Sequence, residues 1–440
     1  MKAKTKWKIA FGILALIVAT PFIALKVNDL QQGQEYAKLL AEARRIGMPT
    51  TAAEIRAQIP HAESHENAAE FYRSKELKYE SKFQIELDEI LQAIQEKPTE
   101  KATAKAKAFI QKHKAKYEII DEATKRPRCW FDRKWEEGMA LLLPELSNAK
   151  AAGKMLALRS SYWASTGQSD LAIADARKMG VLTQHIREEP TMIAFLVSES
   201  IGSHRLSNLA ILAFHNRSEP SYQNELQRTV KNLTMVNPQR LWLVEAFAQM
   251  DLFDRIDAPG FLTEMGVKEE DGPPPMLVAM SKLQNTATAR TNILKQYVEV
   301  WKLLDDPEKN ESKIDQHIQS AFRSMIAKPM AAKLSEVLGG DFALSSAIRN
   351  FEQRTASYRA IAKALSSEPI PKALDLSNDP IATKYGLKYK FDGKQITITS
   401  NLDDGFGETR KVQIPPVKKP APATYEPVKP PPSDRPQLLP

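Results

Sequence analysis

Several small groups of residues carry types and spacings that chemistry could use. His61 and His65 stand four apart, with Glu63 and Glu66 between and after them; on a helix the two imidazoles would share one face, a spacing metals can use. The stretch starts straight after Pro60 and lacks the glutamate-and-histidine order of a zinc protease, so it reads as a solvated helix entry. Cys129 is the only cysteine, and no general base to activate it is identifiable from the sequence, so it reads as a buried or idle thiol rather than a nucleophile. Arg126 to Trp135 interleaves bases with aromatics. Such a segment can stack single-stranded nucleic acid, but the same composition packs a helix seam through cation–π contacts, which is the reading taken here. His185, His204 and His215 are 19 and 11 residues apart, spacings that define no common site. Glu136-Glu137 and Glu188-Glu189 are adjacent pairs, and adjacent helical side chains point apart rather than across a substrate. The chain has no Gly-x-Ser-x-Gly elbow, no phosphate-cradling glycine loop and no cysteine pair. No catalytic residue and no cofactor is therefore assigned. A site assembled only in space stays open as an alternative.

The element that would place all of these is the beginning of the chain. Lys2, Lys4, Lys6 and Lys8 precede an unbroken apolar run, Ile9 to Leu25, of 17 residues. As a helix it would be roughly 25 Å long, against roughly 30 Å of hydrocarbon. Trp7 at the interface and snorkelling by Lys8 and Lys26 close the difference. The lysine excess holds the N-terminus in the cytoplasm and puts the rest of the chain outside it. A cleaved signal peptide is the rival, but Phe22, at one of the two positions where cleavage wants a small residue, is too large. Residues 9–25 are therefore expected to be a transmembrane helix and signal-anchor.

The net charge of +8 divides unevenly: residues 1 to 26 hold five lysines and no acid, leaving 57 basic against 54 acidic residues beyond them. The exported part is nearly neutral, so no nucleic-acid partner is implied. With one cysteine it has no internal disulfide, and its stability must come from packing.

Helical periodicity dominates the middle. Asn28 caps a helix that Gly47 ends, read as a stalk leaving the membrane. Thr51 and Glu54 have capping-box spacing for a short helix stopped by Pro60. Charged amphipathic helices follow to about Lys125, broken near Pro98. The lysine-rich piece Lys101 to Lys116 reads as a solvated face, with an anionic lipid surface as the alternative. Met139 to Phe214 holds the densest core signal. Within it, Gly167 followed five residues later by Ala172 has the spacing of a tetratricopeptide hairpin, in one copy only. Pro190 opens the next helix, and further helices are expected near 222–236, 239–256, 276–304, 314–326 and 342–365, separated at Glu269 to Pro275 by an acidic, triple-proline loop.

After Pro371 the period becomes alternating. Asp392-Gly393 is read as a two-residue turn that sets Tyr389 opposite Ile396 and Leu387 opposite Ile398, with Val412 and Ile414 in a third strand. An isolated hairpin is marginal, so its apolar face should dock on the helices. Of the last 26 residues, 10 are proline, and the tail reads as extended.

Two resemblances accompany this reading. Pro49-Thr50-Thr51, Glu54, Pro60, Glu66-Asn67-Ala68-Ala69 and Tyr72, with the anchor and the helical middle, resemble a group of uncharacterised, N-terminally membrane-anchored helical bacterial proteins. Asp379-Pro380, Gly386, the hairpin, Ser400 and Asp403-Asp404-Gly405 resemble the C-terminal strand region of type II secretion pseudopilins. That second resemblance implies calcium at the acidic turn, with Asp403, Asp404 and Glu408 as weak candidate oxygen ligands.

The expected fold class is mainly α: an irregular helical bundle or solenoid with an N-terminal transmembrane helix and a small C-terminal β-hairpin. The expected segments are a basic cytoplasmic tip (1–8), a membrane helix (9–25), a stalk and charged helical region (26–130), a helical core (131–368), a hairpin region (369–414) and a proline-rich tail (415–440). The expected role is that of a membrane-anchored extracytoplasmic protein acting on envelope protein partners by contact, as a scaffold or assembly factor. The alternatives are an envelope hydrolase and a pseudopilin-like secretion component.

Overall fold

The computed structural model describes residues 30–141, 143–235, 237–255, 286–326, 344–403 and 409–415. The expected membrane helix, the basic tip, the loop at Glu269 to Pro275 and all of the proline-rich tail beyond Pro415 lie outside them. Among the described residues no helix is long and apolar enough to cross a membrane.

The described chain is mainly helical and ends in a three-stranded antiparallel sheet. Helix α1 (30–45) is followed by α2 (Ala52–Gln58), whose N-terminus has the anticipated cap: Thr51 Oγ1 accepts from Glu54 N at 3.2 Å. Glu54 reaches back one residue further than a simple capping box, accepting from both the main-chain N and the hydroxyl of Thr50. Its other oxygen takes Arg44 of α1, so the cap also ties the two helices together. The helix read as a stalk is docked. Tyr36, Leu39, Leu40 and Ala43 pack into an apolar cluster with α12 (Thr286–Leu303), and Trp301 Nε1 donates to the Ile46 carbonyl.

Helices α3 (Ala69–Arg73), α4 (Ser81–Glu96), α5 (Glu100–Lys112) and α6 (Lys114–Ala123) form the charged region, with the break falling at Pro98. Ala102, Ala106 and Phe109 make the buried stripe of α5, and Lys101, Lys105, Lys107 and Lys112 stay exposed opposite it.

The centre is α7 (Pro144–Ser165), α8 (Ser169–Arg187) and α9 (Met192–His215), packed on one another, with α4 on the outer side of α7. Residues on all sides of α7 are buried, which is what a helix enclosed by neighbours requires. Small residues let them approach: a Cβ on Gly153 would meet Ile201 of α9 at 3.0 Å. The α7–α8 hairpin forms as its spacing indicates. Gly167 takes φ +75°, a conformation costly for other residues, and Ala172 is fully buried with its carbonyl accepting from Ser160 Oγ. Pro190 does not open α9 itself but stands one place before its cap, Thr191, which accepts from Ala194 N.

Around this centre lie α10 (Pro220–Lys231), α11 (Pro238–Arg255), α12, α13 (Pro307–Ile326), α14 (Leu344–Leu365) and the short α15 (Pro380–Lys384). Asp379, part of the second resemblance, caps α15 by accepting from Ile381 N and Ala382 N, and it pairs with Arg359 through two bonds of 2.8 and 2.9 Å.

Strands β1 (Lys388–Phe391), β2 (Ile396–Asp403) and β3 (Thr409–Ile414) pair in sequence order. The register differs from the expected one: Phe391 faces Ile396 and Tyr389 faces Ile398. The turn centres on Gly393-Lys394 instead of Asp392-Gly393. Asp392 Oδ1 accepts from Lys394 N and Gln395 N, which fits the position preceding the turn, while Gly393 supplies φ +91°. The slip is two residues, so the apolar face keeps its side. Ile396, Ile398 and Ile414 are buried, and Phe391 meets Phe214 of α9 edge-on, so the sheet is docked on the helices.

Candidate functional site

The Arg126–Trp135 segment is a strap joining the first helices to the centre. Asn67 holds it with both ends of one amide: Oδ1 accepts from Trp130 N and Nδ2 donates to the Trp130 carbonyl, each at 2.8 Å. Ala68 N donates to the Arg128 carbonyl beside them. Phe131 is buried between the guanidiniums of Arg73 and Arg133, 5.4 and 4.7 Å from its ring centre. The aromatics and arginines here make the packed seam that the composition suggested.

The adjacent carboxylates after α8 do point apart. Glu188 accepts from Arg128 Nε and from Cys129 N, while Glu189 accepts from buried Arg133. Arg133 also pairs with buried Glu145. Burial is the larger influence on Glu189 and holds its carboxyl above the usual range despite Arg133.

Cys129 is 2% exposed. Burial, with Glu188 and Glu189 close by, pushes its thiol well above the ordinary cysteine range, so the nucleophilic thiolate is suppressed. Ellman's reagent is expected to leave Cys129 unmodified in the native protein and to titrate one thiol per chain after unfolding in guanidinium. Full labelling within seconds under native conditions would overturn this reading.

The histidines are dispersed. His61 and His65 lie in coil and turn after Pro60, where proline and a tight turn replace a helix. His61 packs against Trp130 in a tilted contact, ring centres 4.1 Å apart, and the His65 carbonyl accepts from Arg126. His204 lies on α9, and His215 Nε2 meets the Gln95 carbonyl at 3.1 Å. His185 makes a linkage that no spacing could reveal, because its partner Tyr72 is 113 positions away. Its Nε2 lies 2.9 Å from the Arg126 carbonyl, which can only accept, so the proton sits on Nε2 and Tyr72 donates its hydroxyl to Nδ1 at 2.8 Å. Burial lowers His185 to about 4. Among the described residues no three His, Cys, Asp or Glu side chains are placed to hold a metal ion. Asp403 occupies the last position of β2, and Asp404 and Glu408 lie outside the described residues.

Where strap, α8 and α11 meet, a cleft of about 300 Å³ opens. Arg128, Arg187 and Arg240 line it with Glu188, and Pro60 and Met235 supply apolar wall. Each arginine is brought by a different element: Arg128 by the strap, Arg187 by the last turn of α8, Arg240 by the first turn of α11. Compared with protein-family models, curated proteins and solved structures, the chain matches none. The chemistry open to the cleft is set by its charges. Arg128 is joined to Glu188 at 3.1 Å, and Arg187 to Glu199 of α9. Arg240 donates to the Glu188 carbonyl at 2.6 Å and has no carboxylate partner among the described residues. Burial lowers its affinity for its proton, Glu188 opposes that shift, and Arg128 adds to it. None of these three arginines carries a sequence signal that sets it apart from the other basic residues. Arg128 was legible as part of the strap, whereas Arg187 and Arg240 were not.

Proposed function

We propose that this protein works by contact: a helical body held at the membrane by residues 9–25, facing outward, and serving envelope proteins as a scaffold or assembly factor. The observation that carries this reading is the unbroken apolar run Ile9 to Leu25 behind four lysines, followed by a nearly neutral body. The use the fold makes of its chemically able side chains supports it. Cys129 is buried, His185 bridges Tyr72 to a main-chain carbonyl, and Glu188 and Glu189 hold two different arginines. These groups act as struts between elements. The proline-rich stretch after Pro415 adds reach for partners.

Crosslinking in intact cells, followed by detergent extraction and mass spectrometry, is expected to recover this chain bound to other envelope proteins. Recovery of monomer alone, under conditions that preserve known envelope complexes, would remove the scaffold role. An alkaline phosphatase fused after Pro440 that stayed inactive would remove the outward placement.

A further inference from the structure

The cleft has more positive charge than its own carboxylates neutralise. Arg128, Arg187 and Arg240 line it, and Arg354 of α14 stands behind, sharing Glu199 with Arg187. Against these four guanidiniums stand two carboxylates, Glu188 and Glu199, both already engaged. Two positive charges are left over. The Arg187 side chain is only 9% exposed, and its buried Nε has no partner among the described residues. A guanidinium taken out of water without a full set of partners is costly unless an anion completes it.

We propose that this cleft binds the oxyanion group of a small molecule, a carboxylate or a phosphate, through Arg128, Arg187 and Arg240. The planar fork of arginine suits either group, offering paired N–H donors where lysine offers a point charge. At about 300 Å³ the space lies at the small end of ligand pockets. Pro60 and Met235 form a short apolar wall for the ligand's carbon skeleton. Glu188 sets the selectivity: it holds Arg128 in place and repels a second anion, so one oxyanion per cleft is expected. The site stands whether or not the chain is tethered or acts as a scaffold, and its failure would leave that role untouched.

The test is calorimetric titration of the purified full chain in non-ionic detergent with inorganic phosphate and, separately, with succinate, at ionic strength held constant with sodium chloride. Saturable one-to-one binding of either is expected, phosphate marking a phosphoryl ligand and succinate a carboxylate ligand. Arg240→Met should weaken binding by about tenfold or more, while Arg177→Met, in a comparable surface cluster around Glu225, should leave it unchanged. If neither anion saturates by about 10 mM, or if both substitutions weaken binding equally, the proposal is overturned. Should Arg240→Met fail to fold, Arg240→Lys keeps the charge but loses the fork, and undiminished affinity in that variant would equally overturn it.

Discussion

Replacing Arg133 with methionine is expected to cost about 3 to 5 kcal/mol of stability, the scale for breaking a buried ion pair from one side. The Arg133 side chain is 4% exposed and lies between Glu145 and Glu189, themselves 2% and 4% exposed. Methionine nearly fills the volume, so little of the loss is packing. What remains is two buried carboxylates whose one remaining ion pair among the described residues is with Arg73, 3.6 Å from Glu145 and itself 41% exposed. The folded variant can relieve this by taking up a proton, and burial already biases Glu189 towards the neutral form. A carboxylate whose folded value is raised gives stability at low pH that is lost as pH rises through that value. The deficit of Arg133→Met relative to the parent should therefore be smaller at pH 5 than at pH 8. Removing the charges as well, in Arg133→Met with Glu145→Gln and Glu189→Gln, should recover most of the loss. Urea unfolding at the two pH values measures all of this. A deficit under about 1 kcal/mol, or one independent of pH, would show that the network is not the strut described here.

Acidification is expected to weaken the fold through two histidines before ordinary carboxylates matter. Burial holds His185 at about 4, opposed only by its bond to the Arg126 carbonyl, and it holds His204 at about 4 as well. In the unfolded chain both return to the ordinary histidine value of 6.5. Above 6.5 both states are neutral and the histidines contribute no pH dependence. Between 6.5 and 4 the unfolded chain binds protons that the folded one refuses, so stability present above 6.5 is lost as pH falls through this window. For His185 the loss is about 3 kcal/mol by pH 4, and its burial of 99% leaves little solvent screening to reduce it. The comparison that isolates it is the urea midpoint of the parent and of His185→Gln across pH 7 to 4, since salt-bridged carboxylates titrate alike in both. His185→Gln should start less stable, having lost the Tyr72 bond, and fall less steeply. Parallel curves would mean that His185 titrates freely in the folded protein.

Much of the architecture was legible because it rests on local rules. The Thr51 cap, the break at Pro98, the Gly167 turn and the change of period after Pro371 are each decided within a few residues by backbone sterics or hydrogen-bonding capacity. The hairpin shows where such rules stop. Alternation identified its faces, but whether Asp392 sits inside the turn or before it depends on which main-chain N–H groups its carboxylate reaches, and the structure moved the register by two. Asn67 shows the same limit. In the sequence it is one letter of a motif, and its two bonds to Trp130 span 63 positions.

By itself the sequence determined the mainly helical class, the Thr51 cap, the Gly167 turn, the presence of the closing sheet and the dense core between Met139 and Phe214, because periodicity, capping and turn chemistry act over a few residues. Only the tertiary structure decided which charges meet. It packed the helix after residue 30 against α12, buried Arg133 between Glu145 and Glu189, joined Tyr72 to His185, and gathered Arg128, Arg187 and Arg240 around one cleft. Those partners are far apart in sequence, and the arginines are chemically like the others in this chain. Their meaning comes from low exposure and uneven neutralisation, which exist only after the helices have packed.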